Sequence, residues 1–136
     1  MGGAWRVRAL DTNVVLRLIL NDDPDQSKVA AAVVEQPASV GTGVLMETAW
    51  VLGSTYRQPR AAIAAALSGL LNVPTIVVAD EPGVRWAIER YRDRGADFAD
   101  MLHIVAARGA SSFASFDKRL AGQAGPDTPV VIERPA

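Results

Sequence analysis

The sequence predicts an α/β fold in which a parallel β-sheet is covered by helices. Two patterns lead there. Short β-rich runs alternate with longer segments of helical spacing, and turn residues punctuate them. The 136 residues are 49% hydrophobic and 21% charged, enough for one domain with a real core over residues 1–136. No internal repeat or low-complexity linker divides the chain, although residues 61–66 are locally Ala-rich.

Each element follows from its residues. Residues 5–10 read as a first strand that ends at Asp11. Residues 12–20 are apolar at helical spacing, and Asn21-Asp22-Asp23-Pro24 stops them. Residues 25–35 are rich in Ala and Val and form a second helix, which Pro37 breaks. Residues 38–41 are a short strand, and residues 44–52 a buried helix. Pro59 opens a helix that runs to Leu71, in a first-turn position that suits proline. Residues 75–78 are a β-branched strand. Pro82 starts a helix that Gly95 ends, and residues 97–108 form another, stopped by Gly109. Residues 111–115 form a weak strand, Lys118-Arg119-Leu120 lead into a last helix, and residues 129–132 form the final strand.

Composition narrows the chemistry. There is no Cys, which removes disulfides, thiol nucleophiles and thiolate metal sites. A single His excludes a zinc site of several imidazoles. Any metal would be held by oxygen, which favours Mg²⁺ or Mn²⁺. The first six residues lack the apolar run of a secretory signal, and Arg6 breaks the myristoylation pattern. Arg17, Glu47 and Asp80 interrupt the longest apolar stretches, so a membrane span is not expected and the cytoplasm is. The net charge of -1 gives no direct support to nucleic-acid binding.

Acids stand out in four places along the chain, five residues in all. In open α/β sheets ligands gather at the carboxyl ends of strands. Asp11 is at such an end, where Asp11 or Thr12 also suits a helix N-cap. Glu47 lies in Val44-Leu45-Met46-Glu47-Thr48-Ala49-Trp50-Val51-Leu52, apolar nearly all round. A carboxylate buried there needs a cation, unless it reaches solvent or an Arg. Asp97 and Asp100 begin a helix with the spacing of a capping box, and His103 follows one turn later. Asp117 repeats the strand–acid–helix order of Asp11. If these acids converge, their mutual repulsion requires metal ions. Arg17, Arg90, Arg92, Arg94, Lys118 and Arg119 are candidates for phosphate contacts, or a solvated helix face.

These residues resemble the successive motifs of PIN-domain ribonucleases, in particular the VapC-type toxins of toxin–antitoxin pairs. The motifs are Leu10-Asp11-Thr12-Asn13-Val14-Val15-Leu16-Arg17, Glu47-Thr48-Ala49-Trp50-Val51-Leu52, Gly95-Ala96-Asp97-Phe98-Ala99-Asp100 and Ser115-Phe116-Asp117. The resemblance implies a PIN-like three-layer sandwich, with a central, mostly parallel β-sheet flanked by helices. It implies an endoribonuclease that cuts RNA phosphodiester bonds by metal-activated water. Mg²⁺ or Mn²⁺ is the implied cofactor, and Asp11, Glu47, Asp100 and Asp117 the implied acids. Among these, Asp11, Asp100 and Asp117 are the expected direct metal ligands, with Asp97 as an additional acid. Glu47 is expected to act through an outer-shell water. Thr12 and Ser115 match supporting hydroxyls; the family often has Thr where Ser115 stands. His103 receives no role. The implied partners are RNA, a small antitoxin and a second copy of the chain. An antitoxin segment would lie in an apolar groove, for which the helices at residues 14–20 and 63–71 are candidates.

Two other functions fit some of the same residues. One is a PIN fold that binds RNA or protein without cutting. The other is a haloacid-dehalogenase-type phosphotransferase using Asp11, although Asn13 stands where that family has a second Asp. The charge also takes on a different meaning. Without the five motif acids, ten acids remain against 14 bases, and the rest of the chain carries +4.

Overall fold

The structure, a computed structural model, describes residues 6–136. The chain falls into two compact units, Met1–Ala79 and Asp80–Ala136. The proposed start of the first strand at Trp5 lies outside the described residues, as does most of the N-terminal segment read against a signal.

The first unit is an α/β arrangement of β1 (Arg8–Ala9), α1 (Thr12–Leu20), α2 (Pro24–Val33), β2 (Ala38–Ser39), α3 (Thr42–Ser54), α4 (Arg60–Leu71) and β3 (Ile76–Val77). The strands lie in the order β1-β2-β3, all parallel, with Arg8 opposite Ala38 and Ala38 opposite Ile76. Backbone bonds from Leu10 N–H to the Ser39 carbonyl (2.9 Å) and from Val40 N–H to the Val77 carbonyl (3.0 Å) extend both ladders. Local chemistry sets the helix ends. Asp11 caps α1, and Asn21 closes it in the left-handed region at φ 51°. Asp23 caps α2, and Pro24 takes its first position. Pro59 sits just before α4 rather than inside it, one residue earlier than its favoured place. The core is formed by Leu10, Val15, Leu16, Val40, Leu45, Leu52, Ile63, Leu67 and Ile76.

The second unit contains α5 (Glu81–Arg94), α6 (Phe98–Ala106), β4 (Phe113–Ala114), α7 (Leu120–Ala124) and β5 (Ile132–Glu133). β4 and β5 pair in parallel, and α7 connects them. The final strand begins three residues later than its composition predicts. Phe113 N–H donates to the Val131 carbonyl (2.7 Å) and Ser115 N–H to the Glu133 carbonyl (2.9 Å), so cross-strand bonding selects the end of the run. α5 and α6 approach closely at Gly83, and Tyr91 meets Phe98 edge-to-face at 5.8 Å. Arg90 and Arg94 donate to the carbonyls of Gly122, Gln123, Ala124 and Pro126, which fastens the end of α7 to α5. Gly125 leaves room for that clasp, because a Cβ there would stand 2.7 Å from Arg94 Cζ.

The α/β prediction therefore holds: every paired strand among the described residues is parallel, and seven helices accompany them. Among the described residues no helix is long and apolar enough to cross a membrane.

Asp80 starts the second unit. Its carboxylate accepts the Gly83 N–H (3.1 Å) and pairs with Arg108 (2.8 Å), joining the start of α5 to the segment after α6. The Arg108 hydrogen bond holds its carboxyl below the usual carboxylate range. Its stabilisation is thus present above the unfolded value and is lost as pH falls through the folded one. Asp80→Ala is expected to cost about 1 kcal/mol at neutral pH through the lost cap. Chemical denaturation should show that difference shrinking in acid; an unchanged difference at low pH would contradict the assignment.

Candidate functional site

In the first unit the two motif acids are joined through Thr12. Asp11 leaves β1 and caps α1, its Oδ1 accepting the Thr12 N–H at 2.8 Å. Thr12 is buried, and its hydroxyl donates to Glu47 Oε1 on α3. The outer faces of Asp11 and Glu47 remain exposed, so both carboxylates can still take a ligand. Glu47 differs from its predicted setting. α3 packs on α1 and α4 through Leu45, Thr48, Ala49 and Leu52, and leaves Gly43, Glu47, Trp50 and Ser54 in solvent. A helix apolar nearly all round has no periodicity to mark its outer face, so its sequence points to burial of Glu47. Its carboxylate is solvated and hydrogen-bonded to Thr12 instead.

In the second unit Asp97 caps α6, its Oδ1 accepting the Asp100 N–H at 2.9 Å. Asp100 is half-buried in the first turn of α6. Burial pushes its carboxyl above the usual range, and the charges of Asp97 and Asp117 push it further, against a small opposing effect of His103. Asp117 is not the cap of α7, whose cap position is Arg119. It makes an Asx turn instead: its Oδ1 accepts the Arg119 N–H at 2.9 Å, and its own N–H donates to Ser115 Oγ at 3.1 Å. Ser115 thus orients Asp117, much as Thr12 holds Glu47. His103 is exposed one turn beyond Asp100.

The donor chemistry fits a hard divalent cation: all the motif groups are carboxylates or hydroxyls. The raised Asp100 carboxyl fits as well, since a cation relieves both its repulsion and its desolvation. Within neither unit, among the described residues, do three His, Asp or Glu side chains stand close enough to hold a metal by themselves.

The basic candidates divide by their present partners. Arg17 bonds Asp22 (2.5 Å) and the Tyr56 hydroxyl (3.3 Å), and Arg92 bonds its neighbour Asp93 (2.8 Å). Arg94 and Arg90 are engaged with the carbonyls around the end of α7, so packing explains them. Their i,i+4 spacing at the end of α5 was the available signal for that shared task. Lys118 and Arg119 are exposed beside Asp117, with Arg119 3.9 Å from its carboxylate.

The first unit carries two grooves. One, of about 370 Å³, runs between α1 and α2 and is lined by Asn13, Val14, Arg17, Asp25, Gln26, Val29, Ala30 and Val33. The other, of about 270 Å³, is lined by Leu18, Ile19, Ala66, Gly69, Leu70 and Val73. It brings together the two helices singled out above for an apolar groove.

A family model described as PIN domain matches residues 8–125. No curated protein and no solved structure matches the chain.

Proposed function

The chain belongs to the PIN domain family, whose members are generally nucleases that use divalent metal ions, and from that premise we propose that it is an endoribonuclease dependent on Mg²⁺ or Mn²⁺. The observation that carries this reading is the span of the family match, which includes all five motif acids. Asp11, Asp100 and Asp117 are assigned to the metal, with Asp97 beside them and Glu47 as an outer-shell group. A bound divalent ion supplies an acidified water and polarises the phosphate. The chain's own part is to hold the carboxylates. Thr12 fixes Glu47 by its hydroxyl. Ser115 and the Arg119 N–H fix Asp117. The N-terminus of α6 presents Asp97 and Asp100 on its first turn. Lys118 and Arg119 are the exposed bases for phosphate next to Asp117.

We further propose that the protein is the toxin of a VapC-type pair, a cytoplasmic homodimer held inactive by a small antitoxin. The groove lined by Leu18, Ile19, Ala66 and Leu70 supports this reading, since an amphipathic segment can lay its apolar side there.

Purified protein free of any partner is expected to cut RNA when Mg²⁺ or Mn²⁺ is added and to stop with EDTA. RNA left intact under all metal conditions would refute the assignment. Asp11→Asn should remove the cutting while the circular dichroism spectrum stays unchanged. Thr12→Val keeps the side-chain volume but frees Glu47, and is expected to lower the cleavage rate by about ten- to a hundredfold. A wild-type rate in that variant would show that the Thr12–Glu47 bond is only structural.

A further inference from the structure

β4 and β5 run parallel, so their carboxyl ends share one edge of their sheet. Ligands gather at that edge in open α/β folds. Ala114 stands opposite Glu133, and the Ser115 N–H donates to the Glu133 carbonyl (2.9 Å). Ser115 and Arg134 therefore leave the two strands side by side. A cleft of about 190 Å³ opens there, lined by Ser115, Asp117, Lys118, Ile132, Glu133 and Arg134. All of these residues belong to the second unit.

The unpartnered cations of the second unit meet at this cleft. Arg85, Arg90, Arg92, Arg108 and Arg119 each have a carboxylate partner, and Arg94 bonds the carbonyls of Gly122 and Gln123. Among the described residues Lys118 and Arg134 have neither an ion pair nor a side-chain hydrogen bond, and both line the cleft. The acids of the lining are already engaged. Glu133 accepts the Ser112 hydroxyl (2.6 Å), and Asp117 accepts the Arg119 N–H. Ser115 Oγ accepts the Asp117 N–H, which leaves its own proton free to donate. An ammonium, a planar guanidinium fork and a hydroxyl proton make a donor set suited to phosphate oxygens. Concave walls focus their field on an anion held inside.

We propose that Lys118, Arg134 and the Ser115 hydroxyl form a pocket for an internal phosphodiester of the RNA strand, next to the linkage that is cut. Arg134 is then a positioning residue that fixes the register of the strand against Asp117. The proposal rests on the nuclease reading and adds the side chains that set this register. An endonuclease cuts within a strand, so the chain continues past Asp117 and brings a neighbouring phosphate to the cleft that Asp117 lines.

The test measures binding of a labelled phosphorothioate RNA strand with Mg²⁺ over a range of salt concentrations. Lys118→Gln and Arg134→Gln should each lose about tenfold in affinity at low salt. Each should also flatten the dependence of log Kd on log salt by about 0.7, the value of one phosphate contact on a single strand. Arg134→Lys should keep the wild-type slope. Melting temperatures should match wild type, since neither side chain has a partner to lose. A second series replaces one linkage at a time by a neutral methylphosphonate. Wild type should lose affinity at one internal linkage, and Arg134→Gln should be indifferent to that same replacement. On cleavable RNA, Arg134→Gln should raise KM and leave kcat nearly unchanged.

Gln variants with wild-type affinity and salt slope would overturn the proposal. So would a lowered melting temperature with an unchanged slope, which marks a structural role. A loss of affinity confined to removal of a terminal phosphate would overturn it as well. The two readings can fail separately. If the variants and the methylphosphonate series behave as expected but wild type never cuts, the pocket stands and the nuclease is refuted. If wild type cuts while both Gln variants bind as it does, the reverse holds.

Discussion

Asp100→Asn is expected to lower metal-dependent RNA cleavage by roughly a hundredfold or more, since groups merely supporting a metal ligand are worth ten- to a hundredfold. The same substitution should raise the melting temperature in EDTA. Burial and the neighbouring charges of Asp97 and Asp117 hold the Asp100 carboxyl above the usual range. The folded state therefore binds this proton more tightly than the unfolded chain, and stability falls as pH rises from the ordinary value through the raised one. Above the raised value the cost of the ionised group is fully present, and Asn removes it. Adding Mg²⁺ should raise the wild-type melting temperature, because a ligand of the folded state stabilises it by mass action. The variant should respond little. Thermal unfolding with and without Mg²⁺, alongside a cleavage assay, reads both effects. A variant that cuts like wild type, or one less stable than wild type in EDTA, would show that Asp100 serves the fold rather than the metal.

Gly83→Ala is expected to have the largest effect on stability. A Cβ at this position would lie 2.5 Å from Val105 Cγ1 on α6 and 2.6 Å from Asp80 Oδ2. Both neighbours have little freedom. Val105 is β-branched within a helix, where one χ1 rotamer dominates. The Asp80 carboxylate is held by the Gly83 N–H and Arg108. Ala must push α5 away from α6 or displace the cap. Overpacking costs about 1–3 kcal/mol, and the better helix propensity of Ala returns about 1 kcal/mol. A lost cap adds about 1 kcal/mol to the cost. Net destabilisation of about 1–3 kcal/mol should appear in urea denaturation. Val105→Ala in the same chain should recover part of it by opening space. Wild-type stability in Gly83→Ala would mean that this contact does not constrain the packing.

Where sequence reading succeeded, the information was local. Asp11 and Asp97 cap their helices because a short carboxylate before an apolar run has few better uses. α1 spans the residues its apolar spacing marks, and Gly95 closes α5 in the left-handed region at φ 67°. Reading failed where the outcome depended on distant neighbours. Glu47 lies in a segment without a polar face, so only packing on α1 and α4 decides which side of α3 is wet. Asp117 looks like a second Asp11, yet its turn closes on Ser115 and Arg119 before α7 begins. Arg94 reads as a base for RNA, and its bonds to carbonyls at the end of α7 are a contact that its sequence position does not reveal.

The sequence by itself determined the α/β class, the order of elements, the oxygen-only donor set and the acids at 11, 47, 97, 100 and 117. These rest on residue type and spacing along the chain, which need no partner. Only the tertiary structure decided that Thr12 holds Glu47, that Asp100 is pressed by Asp97 and Asp117, and that Trp50 stands in water. Each of these depends on which surfaces come together or stay apart, and burial and repulsion act through space rather than along the chain.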